Sequence, residues 1–264
     1  MSRNLPDSDL DKYRLRIVDK VRELRTARRW TQAELAGKLG LSQARLSEIE
    51  RGGGSLTAEQ LIAVLQLFNV SIDEFLPPQD PEDELQNALA RLGAFHLREV
   101  PNVVPSERAG GLRAVARETL VAPRSSRLVL ALAPAVVANL DALNLDTLHD
   151  DLAALGFPAR VPWFVATLRE ALFKVRVAKG RSAASAWHRA VAYLGDFVAR
   201  HPPPATAPGQ WPPVLDYLDA AARSPQTLAA VKAAASEVSR QWGVVTEVQP
   251  SDFAEALGAA RASV

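Results

Sequence analysis

The amino-acid sequence predicts an all-α protein, with a small helical domain at residues 8–76 and a larger one at residues 85–264. Apolar residues recur every three or four positions along most of the chain, and an alternating strand pattern is almost absent. A proline-rich, acidic segment, residues 77–84, has the composition of a linker. A second proline-rich segment near residues 201–211 predicts a further division of the larger domain.

The composition is that of a globular protein and excludes several kinds of site. Apolar residues make up 48% and charged residues 23% of the 264 positions, so the chain can bury a core. It has no cysteine, which excludes disulfides, thiol nucleophiles and cysteine-ligated metal sites. The N-terminus lacks the apolar stretch of a secretory signal, and the longest apolar run is too short to span a bilayer. We therefore expect a cytoplasmic protein with no membrane partner.

The small domain is predicted to contain five helices. The first runs from residue 8 or 9 to about residue 28, and its apolar stripe consists of Leu15, Val18, Val21 and Leu24. Each later helix begins at a hydroxyl side chain that suits a helix N-cap, and these caps are Thr31, Ser42, Thr57 and Ser71. Glu34 follows Thr31 at the spacing of a capping box. The third helix ends at the glycine run 52–54.

Basic residues concentrate in the small domain. The whole chain has a net charge of +1, but the segment from Lys12 to Arg51 has eleven Lys and Arg residues against five Asp and Glu residues, a net charge of +6. A basic surface of this kind is typical of proteins that bind phosphate groups. The same charge also fits a solvated helix surface, so charge alone leaves both interpretations open.

The spacing of small and apolar residues after Thr31 is more specific. Ala36 is small enough for two helices to cross closely at its position, and Gly40 tolerates the positive φ of a tight turn. The core between the two helices is formed by Leu35, Leu41, Leu46 and Ile49. The stretch VRELRTARRWTQAELAGKLGLSQARLSEIERG resembles the Cro/phage-repressor (XRE-like) helix-turn-helix family, whose pattern covers residues 15–76. The resemblance implies a five-helix, lambda-repressor-like fold that binds a double-stranded DNA operator.

The resemblance also implies which residues meet DNA. They lie in or next to the two motif helices and are Thr31, Gln32, Ser42, Gln43, Ala44, Arg45, Ser47, Glu48 and Arg51. In the second helix, Gln43 suits bidentate contact with adenine, and Arg45 suits guanine or a phosphate. Glu48 suits the amino group of cytosine, and Ala44 suits the methyl group of thymine.

Other positions carried over from the family hold the DNA backbone or the domain itself. Thr31 and Gln32, at a helix N-terminus, are expected to bind a phosphate, and Arg51 is expected to meet the backbone. Arg25 and Glu50 occupy the positions of a structural ion pair that orients the second helix in the family. Trp30 departs from the family pattern, in which a small aliphatic residue is usual, and we expect it to enlarge the local core.

The larger domain is predicted to be helical throughout. Its candidate helices are 84–97, 107–120, 125–140, 145–155, 159–178, 183–200, 212–223, 225–242 and 251–262, followed or separated by loops and by an extended connector at 243–248. A seam with heptad-like spacing is predicted on one helix, formed by Leu228, Val231, Ala235, Val238 and Trp242. Such a seam would pack inside a helical bundle or across a dimer.

No catalytic or metal-binding pattern stands out in the larger domain. The four histidines are scattered without metal-ligand spacing. His149, Asp150 and Asp151 suggest a metal site or a proton relay, but adjacent residues on a helix point in different directions, so an exposed helix surface is the favoured interpretation. The sequence therefore predicts no catalytic residue, no metal and no cofactor, and we expect that the protein is not an enzyme.

Two functions remain open on the sequence. One is a transcriptional repressor that acts as a homodimer, with the larger domain for dimerisation and for sensing a small-molecule effector or a partner protein. The other is an autoregulating antitoxin, because RLGAFHLREVPNVVPSER and PRSSRLVLALAPAVVANLDALNLDTL are similar to helical regions of helix-turn-helix antitoxins paired with nucleotidyltransferase toxins. That resemblance implies that the larger domain binds and neutralises a toxin protein.

Overall fold

The computed structural model describes residues 7–76, 80–101, 103–105, 109–122, 125–179, 184–207, 209–219 and 224–262, with side chains from residue 10 onward and outside 176–187. The chain forms two compact units, Met1–Gln79 and Asp80–Val264. Residues 201–211 lie within the larger unit, and a further division there stays a prediction. No helix within the described ranges is both long and apolar enough to cross a membrane.

The N-terminal unit has the five predicted helices. They are α1 (Asp7–Ala27), α2 (Gln32–Lys38), α3 (Gln43–Glu50), α4 (Ala58–Phe68) and a 3-10 helix (Ile72–Phe75). The predicted caps are confirmed, because the side chain of each hydroxyl residue before α2, α3, α4 and the 3-10 helix accepts a hydrogen bond from the first turn. Each cap satisfies a backbone N–H that the helix itself leaves unpaired.

The core of this unit joins α1 to the two motif helices and to α4. Its buried members are Val21, Leu35, Ala36, Leu39, Leu46, Val64, Phe68 and Phe75. Trp30 packs against this core with its ring centroid 5.2 Å from that of Phe68. The large side chain therefore adds to the core, as expected from the sequence.

The C-terminal unit is also mainly helical. Its helices are α5 (Pro81–Arg91), α6 (Leu112–Val121), α7 (Ser126–Ala138), α8 (Leu145–Ala154), α9 (Arg160–Lys179), α10 (Ala184–Arg200), α11 (Pro225–Ala234), α12 (Glu237–Trp242) and α13 (Pro250–Ala262), with a 3-10 turn at Leu140–Ala142. α9 is at the centre of the unit and packs against α8, α10, α12 and α13. Its side chains Trp163, Phe164 and Leu168 are buried.

Helix α5 corrects the predicted linker. It begins at Pro81, inside the segment 77–84, and residues 77–79 lie outside the described part. Asp80 caps α5, proline suits its first turn, and the acidic residues that follow favour a helix N-terminus. α5 also ends at Arg91, earlier than predicted, and the chain leaves the helical conformation at Gly93, which has φ +124°. Gly93 packs closely on α7, since a Cβ built on it would lie 2.9 Å from the Cβ of Ala138.

A short parallel sheet replaces the helix predicted at 212–223. Strand β1 (Asp216–Tyr217) pairs with β2 (Val244–Val245), which lies in the segment expected to be an unpaired connector. Backbone hydrogen bonds to the second strand hold this segment extended: the N–H of Asp216 donates to the carbonyl of Gly243 at 2.8 Å, and that of Leu218 donates to the carbonyl of Val245 at 3.1 Å. The segments that precede the two strands lie close together, because a Cβ on Gly243 would lie 2.6 Å from Pro212 Cγ. Residues 220–223 of the predicted helix lie outside the described part.

The predicted heptad seam is wrong because its helix is broken. Ala235 has φ −59° and ψ 142°, which ends α11, and Ser236 caps α12 by accepting a hydrogen bond from the N–H of Ser239. Trp242 and Val231 are buried in the unit on different helices. The hydroxyl of Ser239 accepts a hydrogen bond from Trp163 Nε1 at 3.0 Å, which anchors α12 on α9.

Candidate nucleic-acid interface

The turn between α2 and α3 brings these helices into close contact. Gly40 has φ +67°, in the left-handed region that glycine adopts without strain, and the N–H of Leu41 donates to the carbonyl of Ala36 at 2.9 Å. Ala36 is 1% exposed, so the helix crossing leaves no room for a larger side chain. Leu46 and Ile49 of α3 are buried beneath the turn, which fixes the opposite face of α3 toward solvent.

The predicted DNA-contacting residues fall on that solvent-facing side. Within α3 and its caps, the exposed residues are Ser42, Gln43, Ala44, Arg45, Glu48 and Arg51, and Ser47 is half-buried. At the start of α2, Thr31 is exposed and Gln32 is half-buried. The structure therefore brings together one continuous polar surface from the N-terminus of α2 to the C-terminus of α3.

Thr31 and Glu34 form a full capping box at the start of α2. The N–H of Thr31 donates to Glu34 Oε2 at 2.7 Å, and the N–H of Glu34 donates to Thr31 Oγ1 at 3.2 Å. The hydrogen bonds from the backbone and the hydroxyl of Thr31 lower the pKa of Glu34. The α2 N-terminus thus carries a carboxylate in the DNA-free protein, and a phosphate would meet this negative charge there.

Arg25 and Glu50 form a buried bidentate ion pair. Arg25 Nε lies 2.7 Å from Glu50 Oε1 and Nη2 lies 2.9 Å from Oε2, while the two side chains are 12% and 3% exposed. Arg25 Nη1 also donates to the carbonyl of Trp30. Burial acts to raise the pKa of Glu50, but hydrogen bonds from Arg25 and Gln32 outweigh it and the pKa is lowered. The pair therefore links the end of α1 to the end of α3.

The ion pair continues into a polar chain that ends at the protein surface. Gln32 Nε2 donates to Glu50 Oε2 at 2.8 Å, and Gln43 Nε2 donates to Gln32 Oε1 at 3.1 Å. A phosphate-binding role was the only one expected for Gln32 from the sequence, and its place between the two helices was missed. The signal for this second role was the helix-start position of both glutamines, on helices that the turn brings together.

Arg45 and Glu48 form a second pair, on the surface. Arg45 Nη1 lies 2.7 Å from Glu48 Oε2, and the two side chains are 46% and 48% exposed. Arg51 Nε folds back on the carbonyl of Ser47 at 3.1 Å. The side chains of Arg45 and Arg51 are thus both held by residues of α3.

Basic residues around Trp30 were not singled out from the sequence. Lys38 Nζ lies 5.0 Å from the centroid of the Trp30 ring, and the guanidinium of Arg28 lies 6.0 Å from it. Arg28 and Lys38 are exposed, as is Arg29, which has a positive φ of 56°. The net charge of +6 was the only signal for these cations, and it did not single out any residue.

The comparisons with known proteins agree with this geometry. Residues 21–75 match a family model described as Helix-turn-helix. The N-terminal unit is a Cro/phage-repressor (XRE-like) helix-turn-helix domain. This domain supports a role for the protein as a DNA-binding transcription regulator. The searches against curated proteins and against solved structures gave no match.

His149 in the C-terminal unit does not lie on the exposed surface that was expected for it. His149 is 16% exposed and its ring stacks on that of His201 at 4.3 Å, while Asp150 is 83% exposed. Asp151 instead pairs with Arg113 at 2.7 Å. The three neighbours thus point in different directions, and within the described residues no group of three or more potential ligands is placed to hold a metal.

Proposed function

We propose that this protein is a sequence-specific transcriptional repressor that binds its operator as a homodimer, with α3 in the major groove. The observation that carries the proposal is the polar chain from Arg25 through Glu50 and Gln32 to Gln43. It starts at a buried ion pair and ends at an exposed amide on the first turn of α3. A side chain whose conformation is set before DNA binds loses less entropy on binding. Repression requires only that the bound protein occupies the operator.

Gln43 is the first base-reading residue in this proposal. Its Nε2 donates to Gln32 Oε1, which fixes the orientation of the amide. The carbonyl oxygen and the second N–H of Gln43 then remain for the N6 amino group and the N7 acceptor of adenine. Because Gln32 is itself held by Glu50, the amide of Gln43 is positioned relative to the helix core.

Arg45, Ala44 and Glu48 complete the proposed reading face. Arg45 and Ala44 are exposed in the first turn of α3, where the motif places residues at base edges. Arg45 suits O6 and N7 of guanine, and Ala44 suits the methyl group of thymine. Glu48 lies one turn later, where it suits the amino group of cytosine or supports Arg45.

The remaining positions are assigned to the DNA backbone. Thr31 and Gln32 present the N-terminus of α2 to a phosphate, and Arg51 follows the end of α3. The hydroxyl of Ser42 caps α3 and Ser47 is half-buried, so we assign these two to contacts at the edge of the interface. Since Thr31 is bonded to Glu34, its hydroxyl turns away from that carboxylate when a phosphate binds.

A homodimer follows from the small size of the reading face. One helix of eight residues, Gln43–Glu50, presents few side chains to the groove and reads few base pairs. Two copies on half-sites about one helical turn apart double the number of contacts. In this proposal the C-terminal unit supplies the dimer contact and senses a small-molecule effector or a partner protein. Sedimentation equilibrium of the purified full chain, with and without operator DNA, tests the dimer.

The decisive experiment is selection of bound fragments from random double-stranded DNA by the purified full chain, followed by a salt titration. We expect one enriched sequence with two related half-sites. Arg45→Ala is expected to relax the preference at one base position by about 1–3 kcal/mol, whereas Arg51→Ala weakens all sequences alike and lowers the salt dependence. Equal retention of all fragments by the wild-type protein would contradict sequence-specific regulation.

A further inference from the structure

The glycine run after α3 lies directly against the side chains of its reading face. The N–H of Gly53 donates to the carbonyl of Glu48 at 3.0 Å. A Cβ built on Gly53 would lie 3.1 Å from Glu48 Cγ, and one built on Gly54 would lie 3.2 Å from both Arg45 Nη1 and Cγ1 of the buried Ile49. Both distances are shorter than ordinary van der Waals contact for a Cβ. The backbone of these two glycines therefore occupies the space beside the Arg45–Glu48 pair.

The hydrogen bond between Arg45 and Glu48 limits which of their atoms can contact DNA. One carboxylate oxygen of Glu48 accepts from Arg45 Nη1 at 2.7 Å in a charge-assisted hydrogen bond. This bond leaves the guanidinium edge with Nε and Nη2 open, and that edge matches the two acceptors of guanine. A carboxylate on the DNA-facing side would also be repelled by phosphates unless a cation neutralises it, which Arg45 does at this distance.

We infer that Glu48 is a positioning residue for Arg45 and contacts no base. Gly54 determines specificity, because its lack of a side chain leaves room for the guanidinium of Arg45. The inference rests on the proposed function, since it names the readers within that surface. Glu48 and the loop backbone hold Arg45 in one conformation before DNA arrives. Arg45 then loses less side-chain entropy on binding guanine than a freely rotating arginine does.

Base-preference profiles of Glu48 and Arg45 variants test the first half. We expect Glu48→Ala to relax the preference at the same base pair as Arg45→Ala, each by about tenfold, and the double variant to relax it no further. Glu48→Gln keeps a hydrogen-bond acceptor and is expected to retain part of the preference. Both side chains are about half exposed, so these variants fold. Relaxation at a different base pair in Glu48→Ala would show that Glu48 reads a base, and it would overturn the inference.

Gly54→Ala tests the second half, with Gly37→Ala as the matched control. A Cβ on Gly37, in α2, would meet nothing within 4 Å, so this control is expected to keep the wild-type profile. Gly54→Ala is expected to lower the preference at the Arg45 base pair several-fold, while binding to random DNA stays within about twofold. A wild-type profile in Gly54→Ala would overturn the role of this glycine. If the wild-type protein shows no sequence preference, the proposed function itself fails, which is a separate outcome.

Discussion

Each unit of the molecule contains a buried arginine held by a carboxylate, and the two arginines have different surroundings. Arg25 pairs with Glu50, and the network runs on through Gln32 to the exposed Gln43. Arg160 pairs with Asp216, but its remaining hydrogen bonds go to the backbone carbonyls of α6 at Leu120 and Val121.

The same ion-pair chemistry serves a different purpose in each unit. In the N-terminal unit the pair leads outward, so it positions a side chain that faces solvent. In the C-terminal unit every partner of Arg160 is internal, and its guanidinium also lies 3.8 Å from the centroid of the Phe157 ring. This pair ties β1 to α6 and α9 and leads to no surface group. We therefore expect loss of the first pair to affect DNA reading and stability, and loss of the second to affect stability alone.

The largest effect is expected for Arg160→Ala. The side chain is 4% exposed, and its loss leaves Asp216 and two carbonyls without their partner, which we expect to destabilise the C-terminal unit by about 3–5 kcal/mol. Urea unfolding followed by circular dichroism measures this. Arg113→Ala, which removes a bidentate pair with Asp151 from a half-exposed arginine, is the control and should cost at most about 1 kcal/mol. Equal costs for the two variants would refute the distinction between internal and surface pairs.

Arg25→Ala is expected to have the next largest effect. It leaves Glu50, 3% exposed, as a buried carboxylate without its cation, and we expect a loss of about 3 kcal/mol of stability in the N-terminal unit. The variant should lose base preference as well, because Glu50 no longer holds Gln32. Calorimetry and the DNA profile together measure both changes. Arg14→Ala, from an exposed pair with Asp11, should leave both unchanged; a thermal melt of Arg25→Ala that matches wild type would contradict the prediction.

Gln32→Ala isolates the outward branch of the network. The Arg25–Glu50 pair remains, so stability should fall by only about 1–2 kcal/mol, the value of the two hydrogen bonds that Gln32 makes with Glu50 and Gln43. The preference at the Gln43 base pair should relax by about 1–3 kcal/mol, although Gln43 is unchanged. A double-mutant cycle with Gln43→Ala is expected to show coupling of the two side chains. Strict additivity of the two variants would mean that Gln43 reads DNA without support from Gln32.

The smallest effect is a difference in pH dependence between the units. All four histidines lie in residues 80–264. Burial lowers the pKa of His149, and the charge of His201 lowers it further, so the unfolded chain takes up a proton at a higher pH than the folded one. The contribution of His149 to the stability of the C-terminal unit is therefore complete above pH 6.5, the ordinary pKa of histidine. It decreases as the pH drops below that value.

Calorimetric melts at pH 7.5 and pH 5.5 measure this difference. His149→Phe should reduce the slope of the C-terminal transition but leave some of it, because burial also lowers the pKa of His96. The N-terminal transition should stay constant over this range. An unchanged slope in His149→Phe would show that the stacked ring contributes nothing to the pH dependence.

The two units also differ in how far their structure follows from the sequence. In the N-terminal unit the signals are local: Thr31 caps α2 and meets Glu34 within one turn, and Gly40 has positive φ in the turn between α2 and α3. In the C-terminal unit, β1 exists because Asp216 meets Arg160 and because Val244 pairs with it, contacts over 56 and 28 positions. Periodicity in a short window carries no information on such contacts.

In the candidate interface, too, contacts between side chains could not be predicted from the sequence. From the sequence, Gln43, Arg45 and Glu48 were assigned to separate base contacts and Gln32 to a phosphate, since each has suitable chemistry for DNA. The sequence did not reveal that Gln32 bonds to Gln43, or that Arg45 bonds to Glu48, because side-chain conformations depend on the packing of both helices. The closeness of Gly54 to Arg45 was missed because the glycine run was interpreted as a helix end.

The ion pair between Arg160 and Asp216 has a consequence for synthesis of the chain. Its two members are 56 positions apart, whereas Arg25 and Glu50 are separated by 25. During translation the N-terminal unit can close its ion pair and its core while most of the C-terminal unit is still unmade. The C-terminal unit must wait until β2 and α13 leave the ribosome before α9 is covered. The nascent chain therefore gains a DNA-reading surface before it gains a finished C-terminal core.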